Sequence, residues 1–541
     1  MNRLLLIIWI AFPLSMQGQK SLEYWSGQIP AATVWSADTI VITGNIFVPS
    51  GVILTIEPNV LVIVDSASGF YVDGHIHAIG HPEYPVIFTI PDTTGFWDTN
   101  YAKDVWKGIR FEPESSGADS SVFEYCQIGY SRSSPETQGI HGGIFLEGRQ
   151  RVRISNCLIH NHDAKVDGGG LVCITSSPIV ENSDFHSNRA GNYGGGLYID
   201  TCTLPLITGN RILKNQSRVR GGGIYSHISS AIIQGNTIAD NKCFYLIPGI
   251  PASYGGDGAG IYLDDYYGGA TVINNIIIMN QSAGAAIYES TYSSVIAGNL
   301  IANNAFIGIM AGNSFSQSRY YNNTIALNHG AAAILAGGFQ QWENNILWNN
   351  STAYPLANLH FLTDTPWVSY SFMNELFTGP GTGNIQGNPG FMSPCPVNGL
   401  TPLAWSADWR LKPGSVCIDA GNPSIAGMPL PVLDLDGNQR IAGGRIDMGA
   451  YEFPQTQGVA EAATARIGGL FPNPCRAHPQ LRLEDKGGGQ VWLFDILGHL
   501  VYQGHHYDGD ELPLSGLDPG IYFYRIRSRG GYLFSKKWIK Q

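Results

Sequence analysis

A six-residue cassette bounded by asparagines recurs along the middle of the chain and limits its possible folds more than any other feature. Each copy begins with Asn, once with Ser, and always ends with Asn. The copies are Asn156/Asn161, Ser183/Asn188, Asn210/Asn215, Asn236/Asn241, Asn275/Asn280, Asn299/Asn304, Asn323/Asn328 and Asn345/Asn350. Successive first positions lie 27, 27, 26, 39, 24, 24 and 22 residues apart. A period in the twenties with β-branched filling predicts one solenoid coil per repeat.

The asparagines at these corners are expected to be structural. Asn tolerates left-handed backbone, and its side chain can bond to neighbouring backbone groups. Identical side chains that lie one rung apart can also hydrogen-bond along the cylinder. The expected ladder consists of Asn156, Asn210, Asn236, Asn275, Asn299, Asn323 and Asn345.

A Gly-rich turn and an apolar strand follow several of the cassettes, and the aligned strands predict columns of side chains. The first aliphatic residue of each strand is expected inside the cylinder, which gives Leu197, Ile224, Ile261 and Ile287. Strand alternation then sends the next residue outward, which gives Tyr198, Tyr225, Tyr262 and Tyr288. Two positions further, the same outer face receives Asp200, His227, Asp264 and Ser290. The sequence therefore predicts a Tyr column beside an Asp/His/Asp column.

The Asp/His/Asp column is a candidate catalytic site. Asp200 and Asp264, with His227 between them, are expected about 9 to 10 Å apart because each rung rises about 4.8 Å. Inverting glycosidases separate their two carboxyl groups by roughly 6.5 to 9.5 Å. The Tyr column and Asp265 are candidate substrate-binding residues, since aromatic faces can stack on sugar rings. The alternative is that Tyr is simply a good strand residue and that the acids and His227 are solvated turn residues.

Composition and charge limit the partners. The charged fraction is 13% and Gly reaches 67 residues, which favours turn-rich β structure over helices. The net charge of −11 and the lack of a Lys/Arg run argue against nucleic acid. No segment after the N-terminal region is long and apolar enough to span a membrane.

No cofactor is predicted. Asp434 to Asn438 is similar to the start of a calcium loop but lacks its later ligands, so a structural turn is the favoured interpretation and calcium the alternative.

The two ends of the chain differ from the middle. Met1 to Arg3 precede an apolar run, Leu4 to Leu14, which is too short for a permanent membrane helix and predicts a signal peptide over residues 1–18. Residues 19–453 are expected to form the solenoid with its terminal caps, because the first and last open rungs must be covered. Residues 454–465 are expected to be a linker, and residues 466–541 a separate C-terminal module.

The cassettes resemble the parallel β-helix repeat of the pectate-lyase-like superfamily over most of residues 120–350. This resemblance implies an all-β chain built as a right-handed parallel β-helix. The repeat identifies the fold but does not indicate an activity, because lyases, hydrolases, epimerases, adhesins and proteins without known activity share it.

The C-terminal module resembles the sorting domain of the type IX secretion system of gram-negative bacteria. The matching features are Phe471-Pro472-Asn473-Pro474, Pro519-Gly520-Ile521-Tyr522 and the basic ending Lys536 to Lys540. The resemblance implies a small β-sandwich, contact with the secretion machinery, passage through the periplasm, and release or attachment at the outer cell surface.

Three functions remain open at this point. The favoured interpretation is a secreted or surface-displayed protein that contacts glycans, or a host or matrix surface, without turnover. The second is a polysaccharide hydrolase or lyase that uses the Tyr/Asp/His face. The third is a rigid structural spacer, since a stiff rod alone would explain the scaffold residues.

Overall fold

The computed structural model describes residues 21–540 apart from 66, 98–105, 114–119, 134–141, 244–255, 336, 351–358, 362–364, 376, 442, 455–468, 472–478, 483–487, 495–499, 518–519 and 529–532. The predicted signal peptide lies outside the described residues, and so does the predicted linker except for its first residue. None of the described residues forms a helix that is long and apolar enough to cross a membrane.

Short parallel strands stack into a cylinder with three faces. One coil, for example, contributes Leu171–Ile174 to the second face, Ile179–Glu181 to the third and Asp184–His186 to the first. The next coil repeats this order in register, with Leu171 opposite Leu197 and Ile179 opposite Leu206. The aliphatic residue in each strand points into one continuous core because side chains alternate across a strand.

The first face runs along the whole cylinder. Its strands are Leu22–Gln28, Thr39–Val48, Leu61–Val64, Val86–Thr89, Cys126–Gly129, Leu158–His160, Asp184–His186, Arg211–Leu213, Thr237–Ala239, Ile276–Ile278, Leu300–Ala302, Thr324–Ala326, Ile346–Trp348, Phe372–Met373 and Ile385–Gln386.

The second face begins on the far end of Thr39–Val48. Its further strands are Phe70–Val72, Ile109–Phe111, Ile144–Glu147, Leu171–Ile174, Leu197–Asp200, Ile224–His227, Ile261–Asp265, Ala285–Thr291, Ile307–Ala311, Ala333–Leu335 and Leu359–Phe361.

The third face forms a separate parallel sheet. Its strands are Thr33–Trp35, Ile53–Ile56, His75–Ile79, Ser121–Glu124, Val152–Ser155, Ile179–Glu181, Leu206–Thr208, Ile232–Gln234, Thr271–Ile273, Val295–Ala297, Arg319–Tyr321, Gln341–Glu343 and Trp367–Ser369. A short sheet between the first and second faces contains Asp163–Ala164, Arg189–Ala190, Gln216–Ser217 and Lys242–Cys243.

Two asparagine ladders run along the corners on either side of the first face. One contains Asn210, Asn236, Asn275, Asn299, Asn323 and Asn345, and the other contains Asn188, Asn215, Asn241, Asn280, Asn304, Asn328 and Asn350. From the second Asn of each ladder onward, the side-chain oxygen accepts hydrogen bonds from the backbone and side-chain amides of the preceding Asn, as Asn299 does from Asn275.

The expected place of Asn156 in the ladder was wrong. The ladder position in that coil belongs to Cys157, whose N–H donates to Ser183 Oγ at 3.1 Å. Asn156 lies one residue earlier, at the left-handed corner with φ of 53°. Asn suits both positions because it tolerates positive φ and also bonds to backbone, so residue type alone did not fix the register.

A closing segment, Phe391 to Phe453, packs along the outside of the cylinder. It contains the antiparallel strands Phe391–Ser393 and Asp408–Leu411 and the 3-10 helix Pro402–Ser406. Its buried Trp409 and Met448 share an apolar cluster with first-face residues that range from Leu213 to Phe372. The segment therefore covers the flank of several coils, whereas the sequence suggested a cap over the last rung.

Asparagine doublets attach the closing segment. The first Asn of each doublet has positive φ and turns outward, while the second joins a ladder. Asn274 Nδ2 donates to the Leu433 carbonyl at 2.8 Å, Asn303 Nδ2 to Val397 at 2.8 Å, and Asn322 Nδ2 to Asp447 at 2.9 Å. The doublets thus connect the cylinder to its cover at successive coils.

The candidate calcium loop is a turn held by the protein itself. The buried Asp434 carboxylate accepts hydrogen bonds from the backbone amides of Asp436, Asn438 and Glu452 and from Asn438 Nδ2. Its oxygens face N–H donors, which is the environment of a structural carboxylate and not of a calcium ligand.

The C-terminal module has its own core. Four antiparallel strands, Gly488–Phe494, Leu500–Tyr507, Gly520–Ser528 and Leu533–Lys540, form one sheet, and Gly469–Phe471 pairs with Gln480–Arg482. Leu470 and Leu481 of the small pair share a buried cluster with Val491, Leu493 and Trp538 of the large sheet. Lys540 is buried, and its ammonium donates to the carbonyls of Leu514, Ser515 and Leu517.

Candidate functional site

The four tyrosines predicted for the outer side of the second face form a stacked column. Tyr198, Tyr225, Tyr262 and Tyr288 are paired in register on successive strands. Their ring centroids are separated by 5.4, 5.5 and 4.7 Å. Their strand neighbours Leu197, Ile224, Ile261 and Ile287 lie in the central core, and the tyrosines do not. The rings therefore point away from the core.

The middle of this column is closed to a ligand. Tyr225 is only 5% exposed and Tyr262 only 3%, because neighbouring rings cover both faces. Tyr193 stacks on Tyr225 at 4.9 Å, and the Arg220 guanidinium lies 4.8 Å from the centre of the Tyr262 ring. The expectation that Tyr225 and Tyr262 form an open platform for sugar rings is therefore wrong, because neighbouring side chains already pack against the faces of both rings.

The Asp/His/Asp column lies beside the tyrosines in the predicted register. His227 is paired with Asp200 on one side and with Asp264 on the other. His227 Nδ1 lies 2.7 Å from Asp200 Oδ1. Tyr225 Oη donates to Asp264 Oδ2 at 3.4 Å, and Arg220 Nη1 lies 3.8 Å from the same oxygen. All three side chains of the column remain partly exposed.

A third column, which the sequence reasoning missed, precedes the strands. Arg220 forms isolated β-bridges with Tyr193 on the preceding coil and with Asp257 on the following coil. Asp167 occupies the same position one coil before Tyr193. Each is the residue just before a Gly-rich turn, as in Asp167-Gly168 and Arg220-Gly221, and that repeated position was the available signal.

Two carboxyl groups of this third column hold protons more tightly than usual. Burial, together with the negative charge of Asp200, raises the pKa of Asp167 to about 6, although the Tyr193 N–H opposes the shift. Burial also raises the pKa of Asp257, while the Arg220 charge opposes that shift. The outer side of the second face thus combines an imidazole, an arginine and four carboxyl groups.

Asp265 does not face the outer column. It is buried, and its Oδ1 accepts the backbone amides of Tyr267 at 3.1 Å and Gly268 at 2.8 Å. Its expected role in substrate binding is therefore replaced by a structural one, in which it shapes the turn after the strand.

That turn and the turns after the next two second-face strands display exposed aromatic side chains. Tyr266, Tyr267, Tyr292, Asn313 and Phe315 line a cavity of about 390 Å³, which we call the aromatic cleft. The four aromatic residues are 57%, 85%, 37% and 64% exposed, in that order. They follow the ends of three successive second-face strands, Ile261–Asp265, Ala285–Thr291 and Ile307–Ala311.

The aromatic cleft is held by hydrogen bonds between its coils. The Tyr292 N–H donates to the carbonyls of Asp265 and Gly268, and Asn313 Nδ2 donates to the Thr291 carbonyl at 3.0 Å. Gln317 Nε2 donates to Tyr292 Oη at 2.7 Å. Sequence reasoning missed this cleft because strand alternation assigns no direction to turn residues. The Tyr266-Tyr267 doublet before two glycines was the only hint.

Comparisons with known families identify the two parts of the chain. Residues 103–266 match the right handed beta helix region, and residues 469–541 match the secretion system C-terminal sorting domain. The chain is thus a right-handed β-helix with a type IX sorting domain, which directs it to the cell surface or the extracellular space.

Residues 253–388 also match NosD, a family of periplasmic copper-binding proteins. Copper sites use His, Cys or Met side chains in a tight cluster. Within the part of the chain that the structure describes, no three His, Cys, Asp or Glu side chains are arranged to hold a metal ion.

Several solved structures are similar in part. Pectate lyase Pel9A is 14% identical, with a TM-score of 0.33, over 75% of this chain and 88% of its own. The periplasmic alginate epimerase AlgG is 12% identical, with a TM-score of 0.29, over 61% and 78%. Tailspike protein 2 of bacteriophage CBA120 is 12% identical, with a TM-score of 0.22, over 95% and 72%.

One curated protein also matches in sequence. Metabotropic glutamate receptor-like protein R of Dictyostelium discoideum is 25% identical over 186 residues, which is 32% of this chain. The match spans only 11% of that relative's length.

Proposed function

We propose that this exported β-helix protein binds glycans at the aromatic cleft without turning them over. The observation that carries the proposal is the exposure of Tyr266, Tyr267, Tyr292 and Phe315 around one cavity. Large aromatic surfaces left open to water on a rigid scaffold mark binding sites, since their exposure is otherwise unfavourable.

The chemistry of the cleft suits a sugar. Aromatic faces pack against the C–H faces of sugar rings, and the Tyr292 hydroxyl, which accepts from Gln317 and can still donate, supplies a polar group beside them. The cleft lies on coils that are fixed by hydrogen bonds, so that little conformational entropy is lost on binding. A glycan-coated host or matrix surface is a natural ligand for an exported protein with this site.

Tyr267→Ala is expected to weaken glycan binding about fivefold to tenfold and to leave the melting temperature unchanged. Tyr267 is 85% exposed, and the turn is held by its backbone amide and not by its ring. An aromatic contact contributes about 0.5–1.5 kcal/mol beyond area burial. Isothermal titration with a glycan found by an array screen provides the measurement.

Tyr24→Ala is the matched control, because Tyr24 is 66% exposed on the first strand and lies far along the chain from the cleft. It is expected to bind glycans like the unaltered protein. If the Tyr267→Ala variant binds every such glycan as tightly as the unaltered protein does, the aromatic cleft is not the binding site. If no glycan in the screen binds to the unaltered protein, the result would favour the rigid spacer.

A second candidate, a polysaccharide hydrolase, is favoured by the contact of 2.7 Å between His227 Nδ1 and Asp200. A carboxylate at Nδ1 orients the imidazole and leaves Nε2 as the proton acceptor, so His227 would activate water. Burial raises the pKa of the nearby Asp167 to about 6, so this carboxyl group retains its proton in mildly acidic solution. It would serve as the general acid, and Asp264 would position the substrate.

For this candidate, Asp200→Asn is expected to abolish release of reducing ends and to spare binding. The amide cannot stabilise the imidazolium that forms as His227 takes a proton. Activity should also fall as pH rises through about 6, because Asp167 must be protonated to act as the acid. A reducing-end assay between pH 4 and 9 gives both results.

Asp184→Asn is the control for a carboxylate change, since Asp184 lies on the first face and its side chain is as exposed as that of Asp200, at 23%. Its variant should match the unaltered protein in every assay. Turnover that survives Asp200→Asn would contradict the roles assigned to Asp200 and His227, and no turnover of any polysaccharide by the unaltered protein would exclude the hydrolase.

A further inference from the structure

We infer that the ligand of the aromatic cleft is an uncharged polysaccharide that lies along the cylinder axis across four coils. This inference rests on the proposed glycan-binding function and adds the class of glycan and its orientation. It depends on two observations, which are the continuation of the aromatic cleft onto a fourth coil and the distribution of charge around it.

Phe339 extends the row of exposed aromatic residues. It is 85% exposed and follows Ala333–Leu335, the second-face strand that pairs with Ile307–Ala311. Its N–H donates to the Ser316 carbonyl at 2.9 Å, which places it on the coil next to that of Phe315. Exposed aromatic residues therefore occur at the same corner on four consecutive coils.

The direction of this row determines the shape of the ligand. Consecutive rungs are about 4.8 Å apart, so three steps extend roughly 14 Å parallel to the axis. A single sugar ring can contact only part of that length. A polymer that lies along the axis can place successive rings against successive coils, and its affinity should grow with chain length until the row is filled.

The charges near the cleft disfavour an acidic polymer. Tyr266, Tyr267, Tyr292, Asn313 and Phe315 carry no charge. The two residues that precede them on the strand, Asp264 and Asp265, are acids. Arg220, the cation near Asp264, is already engaged with that carboxylate and with the Tyr262 ring. A polyuronate, with one carboxylate per sugar, would find no cation in the lining to pair with its charge, and it would lie beside the carboxylate of Asp265.

The test measures the affinity of the full-length exported protein for two series of oligosaccharides, from monosaccharide to hexasaccharide. One series consists of neutral β-linked glucan, xylan and mannan fragments, and the other of oligogalacturonate and oligomannuronate. A chelator is present so that metal bridging does not mask repulsion. For at least one neutral polymer, affinity is expected to rise with length and then level off, and uronates of equal length are expected to bind at least about tenfold more weakly.

Phe339→Ala is expected to weaken binding of the hexasaccharide about fivefold and to leave the disaccharide unchanged, whereas Tyr267→Ala weakens both. Uronates that bind as tightly as neutral chains, or an affinity that depends neither on length nor on Phe339, would overturn this inference. The proposed function would still stand if binding depended on Tyr267. Binding of no glycan would remove both.

Discussion

Removal of residues 466–541 is expected to abolish delivery to the cell surface while the β-helix still folds. The deleted region covers the whole match to the secretion sorting domain, residues 469–541. Its buried residues form their own cluster, which shares no member with the two large clusters of the cylinder. A domain with its own core can be lost without unfolding its neighbour.

Cell fractionation and surface protease digestion measure the delivery, and circular dichroism with thermal melting of the retained protein measures the folding. The truncated chain should be found in the periplasm with a melting transition like that of the β-helix in the complete protein. Tyr24→Ala, which changes an exposed side chain on the first strand, should reach the surface normally. Normal surface delivery of the truncated chain would contradict the sorting function.

Lys540 has a structural role inside the same domain. Its ammonium donates to three loop carbonyls in the domain interior, at Leu514, Ser515 and Leu517. The basic ending that suggested a sorting signal therefore includes a lysine with an internal structural role. This role was not readable from the sequence, because a terminal lysine is usually solvated.

The repeat predicted the fold well because a solenoid converts sequence offsets directly into spatial columns. Once the Gly-rich turns were aligned, strand alternation alone placed Tyr225 above Tyr198 and His227 between Asp200 and Asp264. These are local rules that apply to each coil independently. They need no knowledge of contacts between distant parts of the chain.

The properties that sequence reasoning did not predict depend on contacts beyond one coil. Tyr225 and Tyr262 are buried because rings from adjacent coils and the side chain of Arg220 cover them. Strand alternation predicts which way a side chain points, but it does not predict how much of that side chain is exposed to solvent. The flank position of the closing segment depends on bonds between residues more than 90 apart, such as that from Asn303 to Val397.

The same limit applied to the aromatic cleft. Its residues lie in turns, where each backbone conformation is set by particular contacts, such as the capping of Tyr267 and Gly268 by Asp265. A period-two pattern says nothing about such positions. The row of exposed aromatic residues therefore became visible only when the coils were placed on one another.

Asn299→Ala is expected to destabilise the cylinder by about 2–4 kcal/mol, because it removes one member of a buried hydrogen-bonded ladder. Asn299 is fully buried. Its Oδ1 accepts both amides of Asn275, and its Nδ2 donates to the Val272 carbonyl at 2.9 Å and to Asn323 Oδ1 at 3.0 Å. Alanine leaves the buried backbone N–H of Asn275 without its acceptor and removes one donor each from the Val272 carbonyl and from Asn323 Oδ1, although Asn275 Nδ2 keeps the Ile233 carbonyl and Asn323 Oδ1 keeps the backbone N–H of residue 299. An unsatisfied buried group costs about 1–3 kcal/mol.

Asn156→Gly is the matched control, because Asn156 lies at a corner outside the ladder and glycine accepts its φ of 53° without strain. It is expected to change stability by less than about 1 kcal/mol. Denaturant unfolding measures both variants, and hydrogen exchange at the amides of Asn275 and Asn299 detects local opening, since repeat proteins can unfold by parts. Equal destabilisation by the two changes would mean that the ladder bonds contribute no more than an ordinary corner residue. A large loss confined to Asn299→Ala would show instead that the stacked amides stabilise the cylinder, as expected for members of one buried hydrogen-bond network.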